Sequence, residues 1–195
     1  MEYGCISTVI FEEFNLSDDI KYILDDICLN IEKPNIDYKY EIKYLTKIIK
    51  KYNLQERIDI ARKYDNILIH FTNIYPNIDN DRINLLKKIC NYLVLKLKIK
   101  FNLPRPFQVS SHYKSCIYPV NLITTHTPTL PSGHTALFYL YYKYFSFIDP
   151  MNEINYYSIY ENGANSRLIG GNHFYIDNQY SVKIIDILLN KIKLF

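Results

Sequence analysis

The sequence predicts a mostly α-helical single domain, and three observations carry that expectation. Apolar residues return at helical spacing in successive stretches, the breaks between them carry Pro, Asn or Gly, and alternating strand patterns are scarce. With 195 residues, 48% of them apolar and 22% charged, the chain can bury one sizeable core but not comfortably two. Residues 1–195 are therefore expected to form one unit.

Residues 1–16 carry a short Ile/Val/Phe stretch that periodicity assigns to neither strand nor coil. Ser17 before Asp18 and Asp19 marks a helix start, and Ile20, Ile23, Leu24, Ile27, Cys28 and Ile31 keep helical spacing until Pro34. A second helix is predicted over about 37–52, with Ile42, Leu45, Ile48 and Ile49 inward, and a third over about 54–75, stopped by Pro76. His70 lies in the third among Ile67, Leu68, Ile69 and Phe71, the setting of a satisfied core or boundary histidine. Asp79-Asn80-Asp81 caps a fourth helix, about 82–100, whose Ile83, Leu86, Ile89, Cys90, Leu93, Val94 and Leu97 form a wide apolar stripe. Pro104 and Pro106 cannot continue it, and no period is visible from 102 to 130. A loop of that length inside a compact domain is usually functional or mobile. Leu130-Pro131-Ser132-Gly133-His134-Thr135 then opens the most apolar helix, running through Ala136 and Tyr142 to about Phe147. Two further helices, about 151–168 and 177–194, are set apart by Asp149-Pro150 and Gly170-Gly171.

Composition excludes some functions. A net charge of +3 with no basic stripe argues against a nucleic-acid partner, and Lys87, Lys88, Lys96, Lys98 and Lys100 read as solvated helix faces. Glu12, Glu13, Asp18 and Asp19 arrive too early for a secretory leader, and no apolar run reaches the roughly 20 residues of a membrane span. Cys5, Cys28, Cys90 and Cys116 show no metal or disulfide spacing and read as buried reduced thiols. A soluble, cytoplasmic protein is expected.

Three segments carry chemistry. Lys98 at the end of the fourth helix, with Arg105 held extended by Pro106, can converge as half of a phosphate clamp: a compact point charge beside a planar fork. A helix starting at Ser132-Gly133-His134 aims free N–H groups and its positive dipole end at an oxyanion, and His134 adds a proton donor or acceptor. Arg167 follows Ser166, and His173 with Asp177 stand four apart, so one carboxylate can fix the imidazole tautomer and leave Nε2 free to attack. His112 and His126 lie in the long loop with Tyr118, Thr124, Thr125 and Thr127, where two readings compete, a place in the lining of a substrate pocket and plain loop polarity, and the second is preferred because no spacing rule selects them.

Taken in order, these segments resemble the three-part signature of the type 2 phosphatidic acid phosphatase superfamily, which includes class A acid phosphatases and vanadium-dependent haloperoxidases. The matched residues lie within 98–177, and residues 1–80 carry no part of the signature. The resemblance implies a helical bundle of the acid phosphatase/vanadium haloperoxidase type, close to the soluble branch. It implies hydrolysis of a small phosphorylated substrate, a phosphate monoester or related compound, with His173 as nucleophile, Asp177 orienting it and His134 as general acid and base. Lys98, Arg105, Ser132, Gly133 and Arg167 would hold the phosphate, with no metal required. The same pocket in a haloperoxidase would hold vanadate on His173. A phosphate-binding protein without turnover is the third possibility.

Overall fold

The computed structural model describes residues 14–122 and 127–195, and these residues form helices and turns with no strand among them. The unassigned stretch at 1–16 falls almost wholly outside the described residues, as do Cys5, Thr124, Thr125 and His126. Helix α1 (Asp18–Asn30) follows Ser17, and α2 (Tyr38–Ile49) is capped by Asp37, which accepts from the Tyr40 N–H at 3.0 Å. Helix α3 (Leu54–Lys63) opens with a reciprocal cap between Asn53 and Glu56. Asp79 caps α5 (Asn80–Phe101), and Asn102 ends it in the left-handed conformation. Helix α7 (Gly133–Ile148) begins at the expected Ser132 cap, and α8 (Glu153–Ile169) and α9 (Tyr175–Lys191) follow within a few residues of expectation.

The core is organised by α7. Ala136, Phe138, Leu140 and Phe145 have no exposed surface, and α7 packs against α8, α9, α5 and the short α4 (Ile67–Thr72). A helix apolar on nearly all sides must be surrounded, which is what the run from Ala136 to Tyr142 dictates. Gly163 on α8 allows the closest approach, since a Cβ there would lie 2.4 Å from the Phe138 ring. Among the described residues, no helix is long and apolar enough to cross a membrane.

Four local expectations are corrected. The third predicted helix is two, α3 and α4, broken at Tyr64-Asp65-Asn66 without Pro or Gly. His70 supports the break: its ring stacks on Tyr64 with centroids 4.8 Å apart, and its Nε2 lies 2.8 Å from the Lys63 carbonyl at the end of α3. It is a satisfied boundary histidine, as its surroundings suggested. The aperiodic stretch after α5 contains a short α6 (Pro106–Val109) and a 3₁₀ turn (Ser110–Tyr113), and it buries Ile117, Val120, Leu122 and Leu130. Lys96, Lys98 and Lys100 are not free solvated charges: Lys98 is buried and donates to backbone carbonyls. Lys96 pairs with Asp25 at 2.6 Å, and Lys100 donates to the Cys28, Leu29 and Ile31 carbonyls at 2.7–3.0 Å, capping α1. Cys28 and Cys90 are buried free thiols pushed up to about 12 by burial, whereas Cys116 is exposed.

Candidate active site

Lys98 and Arg105 do converge, and the loop between Thr127 and Thr129 gathers them. Lys98 is buried and donates to the Pro128 carbonyl and, at 3.2 Å, to the Thr129 carbonyl. Among the described residues two of its three N–H bonds are thereby used, and the third is available to a ligand. Arg105 donates from Nε to the Thr127 carbonyl at 2.8 Å and from Nη1 to the Asn172 carbonyl at 2.8 Å. Burial lowers both cations: Lys98 falls well below its ordinary value, with the neighbouring guanidinium adding to the effect, and Arg105 falls to about 10. Buried positive charge without an anion is costly, so this arrangement favours a bound oxyanion.

The turn Gly170-Gly171-Asn172 delivers His173 to the same place. Gly171 has φ of 75°, a conformation that favours glycine. His173 Nδ1 lies 3.1 Å from Asp177 Oδ2, which also accepts from Thr129 Oγ1 at 2.5 Å and the Phe174 N–H at 2.9 Å. These donors fix the carboxylate, so Nδ1 carries the proton and Nε2 is left with its lone pair. Arg105 Nη1 stands 3.1 Å from that Nε2. His173 is held well below its ordinary value by burial and then by Arg105, Lys98 and Arg167, so the imidazole is neutral. Burial pushes Asp177 up to about 6 against the opposing pull of Thr129 and the Phe174 N–H.

At the start of α7, His134 faces an unexpected partner. Its Nε2 is 3.1 Å from Asp65 Oδ1, and the same oxygen accepts from Arg167 Nη1 at 3.5 Å. The break between α3 and α4 is what places Asp65 there. Burial lowers His134, and Arg167 lowers it further, whereas Asp65 raises it. Arg167 is 1% exposed and lowered to about 10 by burial. Ser132 acts first as the cap of α7: its Oγ accepts from the Thr135 N–H at 3.3 Å and lies 2.9 Å from Thr135 Oγ1. Thr135 Oγ1 is also 2.7 Å from Asn178 Oδ1, whose amide nitrogen donates to the Ala164 carbonyl at 2.9 Å. An amide oxygen only accepts, so it takes the Thr135 proton and leaves the Ser132 proton free for Thr135 or an oxyanion.

Lys98, Arg105, Gly133, His134 and His173 line one cavity of about 630 Å³, together with Asp65 and Thr127. Ser132, Arg167 and Asp177 stand behind that lining, fully or almost fully buried. All eight residues singled out from the sequence therefore meet in one region. His112 and Tyr118 are exposed and line no part of the cavity, whereas Thr127, from the same loop, does. Four contributors carried no local signal. Asp65 and Thr129 are described above. Glu41 Oε2 accepts from the Tyr175 N–H at 2.8 Å and the Ile176 N–H at 3.4 Å, and so caps α9, where Asp177 sits. Arg57 donates to the Ile169, Tyr118 and Gly170 carbonyls at 2.6–3.1 Å and pins the glycine turn.

No protein-family model matches the chain, and no curated protein sequence matches it. Among solved structures it is similar to a bacterial vanadium-dependent iodoperoxidase, with a TM-score of 0.57 and 18% identity over 83% of this chain and 51% of that one. The chain thus spans about half the length of that enzyme. At this identity the likeness shows the fold: a helical bundle of the haloperoxidase type, as the signature implied.

Proposed function

We propose that this chain hydrolyses phosphate monoesters through a phosphohistidine. The observation that carries the proposal is the neutral imidazole of His173, held from behind by Asp177 and facing Arg105 with its Nε2 lone pair 3.1 Å away. Nε2 attacks phosphorus, the bond to the alcohol oxygen breaks, and His134 gives that oxygen its proton. The Nδ1 proton stays on His173 and Asp177 balances the charge the ring acquires. Neutral His134 next takes a proton from water as its oxygen attacks phosphorus, the P–N bond breaks, and orthophosphate leaves. Lys98, Arg105 and Arg167 offset charge on the equatorial oxygens, helped by the Gly133 N–H and the Ser132 hydroxyl. Asp65 holds His134 against the repulsion of Arg167.

A second reading is favoured by the likeness to the iodoperoxidase. The residues fit vanadate: His173 Nε2 offers a neutral nitrogen ligand, and three buried cations match an oxyanion's charge. When bound, vanadate supplies activation of peroxide for halide oxidation. A non-catalytic phosphate-binding site is disfavoured, since binding alone needs neither an oriented nucleophile nor a second histidine.

Assays with p-nitrophenyl phosphate and an alkyl phosphate, beside a peroxide and halide assay with added vanadate, separate these readings. His173→Ala is expected to abolish hydrolysis of both esters. His134→Ala is expected to lose roughly 10²- to 10⁴-fold on the alkyl ester, whose leaving group needs a proton, and much less on the aryl ester. Halide oxidation without ester hydrolysis would overturn the phosphatase proposal.

A further inference from the structure

Several lysines of this chain are answered from within it. Lys96 pairs with Asp25 and Lys191 with Asp26, while Lys63, Lys143 and Lys183 stand over tyrosine rings. Helix α2 is different. Lys39, Lys43, Lys47 and Lys50 are exposed, and among the described residues none of their ammonium groups makes an ion pair, a hydrogen bond or a ring contact. The one acid of α2, Glu41, is buried and turned to the Tyr175 and Ile176 N–H groups, so no carboxylate of the helix offsets the row. At about 100° and 1.5 Å per residue the four lysines fall within an arc of about 80° and along about 16 Å. Ile42, Leu45 and Ile49 pack inward on the opposite side, which makes the row the outermost ridge of the helix. Like charges three and four residues apart repel, and an anion laid over the ridge relieves that repulsion.

One flank of the ridge is aromatic. Tyr40 and Tyr44 stack with centroids 6.2 Å apart, and Tyr44 meets Tyr175 of α9 at 5.1 Å. Tyr40 is 58% exposed and Tyr175 36%. By the same helical geometry Tyr40 and Tyr44 stand about 100–140° round from Lys39, beside the row and off its crest. That division favours one class of polyanion. A flat anionic membrane resting on the crest meets the ammonium groups and leaves the rings aside, and an acidic peptide gives the rings nothing to stack on. A single-stranded nucleic acid engages both, since its phosphates and bases point to different sides and unpaired bases stack on aromatic faces. We infer that the outer face of α2 docks single-stranded nucleic acid, with phosphates along Lys39, Lys43, Lys47 and Lys50 and a base on Tyr40. A net charge of +3 conceals this row because the acids that balance it lie on other elements, and the expectation of no nucleic-acid partner does not extend to α2. The surface is separate from the phosphate cavity: α2 packs on α8, α9 and the Ser110–Tyr113 turn, and none of its residues lines that cavity. Docking is therefore independent of the chemistry at His173.

Fluorescence anisotropy of the full chain with short labelled oligothymidylate and oligouridylate tests this. The strands carry free hydroxyl ends, and orthophosphate is present to occupy the cationic cavity. Both strands are expected to bind, and any preference between them names DNA or RNA as the source. Log K is expected to fall against log salt with a slope of about −3, the value for four phosphate contacts on a single strand. Lys39→Gln, Lys43→Gln, Lys47→Gln and Lys50→Gln, combined in one chain, are expected to weaken binding by more than about tenfold and to flatten that slope. Tyr40→Ala is expected to weaken it roughly 5- to 100-fold with the slope unchanged, because a stacked base is lost and no charge. Far-ultraviolet circular dichroism is expected to stay the same in both variants, since all five positions are exposed and Gln and Ala are good helix formers. Strand binding that survives the four Gln substitutions would overturn the assignment. So would tighter binding of a duplex, or displacement of the strands by polyglutamate or phosphatidylserine vesicles as effective as displacement by unlabelled strand. Absence of binding to either strand at low salt would overturn it outright, and would leave the proposed hydrolysis untouched.

Discussion

Asp65 divides one carboxylate oxygen between two groups that would otherwise repel, His134 at 3.1 Å and Arg167 at 3.5 Å. Its charge raises the affinity of His134 for a proton, while burial and Arg167 lower it. Asp65→Asn removes the raising contribution, so His134 should lose its proton at lower pH. The alkaline limb of the kcat/KM profile should then move to lower pH. Activity at neutral pH should fall roughly tenfold, less than the 10²- to 10⁴-fold expected for loss of the acid itself. The acid limb has another source. Asp177, pushed up to about 6, must be ionised to hold the His173 Nδ1–H, so activity should fall as pH drops through about 6. That limb should stay where it is in the Asp65 variant. A profile unchanged in both limbs, with unchanged rate, would remove Asp65 from the proposed machinery.

At the scale of the helices, the meeting of α7 and α8 depends on one missing atom. Alanine is normally the better helix residue by about 1 kcal/mol. At Gly163, however, its Cβ would come within 2.4–2.6 Å of the ring of Phe138, which has no exposed surface to move into. Overpacking should win, and Gly163→Ala should cost about 1–3 kcal/mol in chemical denaturation. Stabilisation would mean that the two helices separate more easily than their packing suggests. Element ends were legible where local chemistry writes them: Asp37, Asp79 and Ser132 are caps, and Pro34 and Pro76 are stops. The break at 64–66 was not, because tertiary partners cause it: Asp65 turns to His134 and Arg167, and His70 turns back to Lys63. The site follows the same division. Segments such as His173 with Asp177 expose their chemistry through spacing. Glu41, Arg57 and Thr129 act on groups 48–134 residues away, so no window along the chain could reveal them.

Across the whole molecule, the part that carries no signature turns out to hold the part that does. Glu41 caps α9, Arg57 pins the Gly170-Gly171 turn, and Asp65 reaches His134, while Tyr180 donates to the Glu32 carbonyl and Lys191 pairs with Asp26. A site stitched this way should not outlast the fold. In urea, ester hydrolysis and far-ultraviolet helicity are expected to disappear over the same concentrations. A plateau with helices intact and activity gone would show instead that the N-terminal helices detach as a separate unit. The order of residues adds a consequence for a chain being made on a ribosome. Lys98, Arg105 and His134 emerge first, and His173 with its orienting Asp177 emerges dozens of residues later, Asp177 on the first turn of α9. Until then the nascent chain carries the cations and the proton donor of the proposed site with no nucleophile between them. On the proposed mechanism the chain is therefore silent through most of its own synthesis, and becomes competent only when α9 comes home to the helices that were made first.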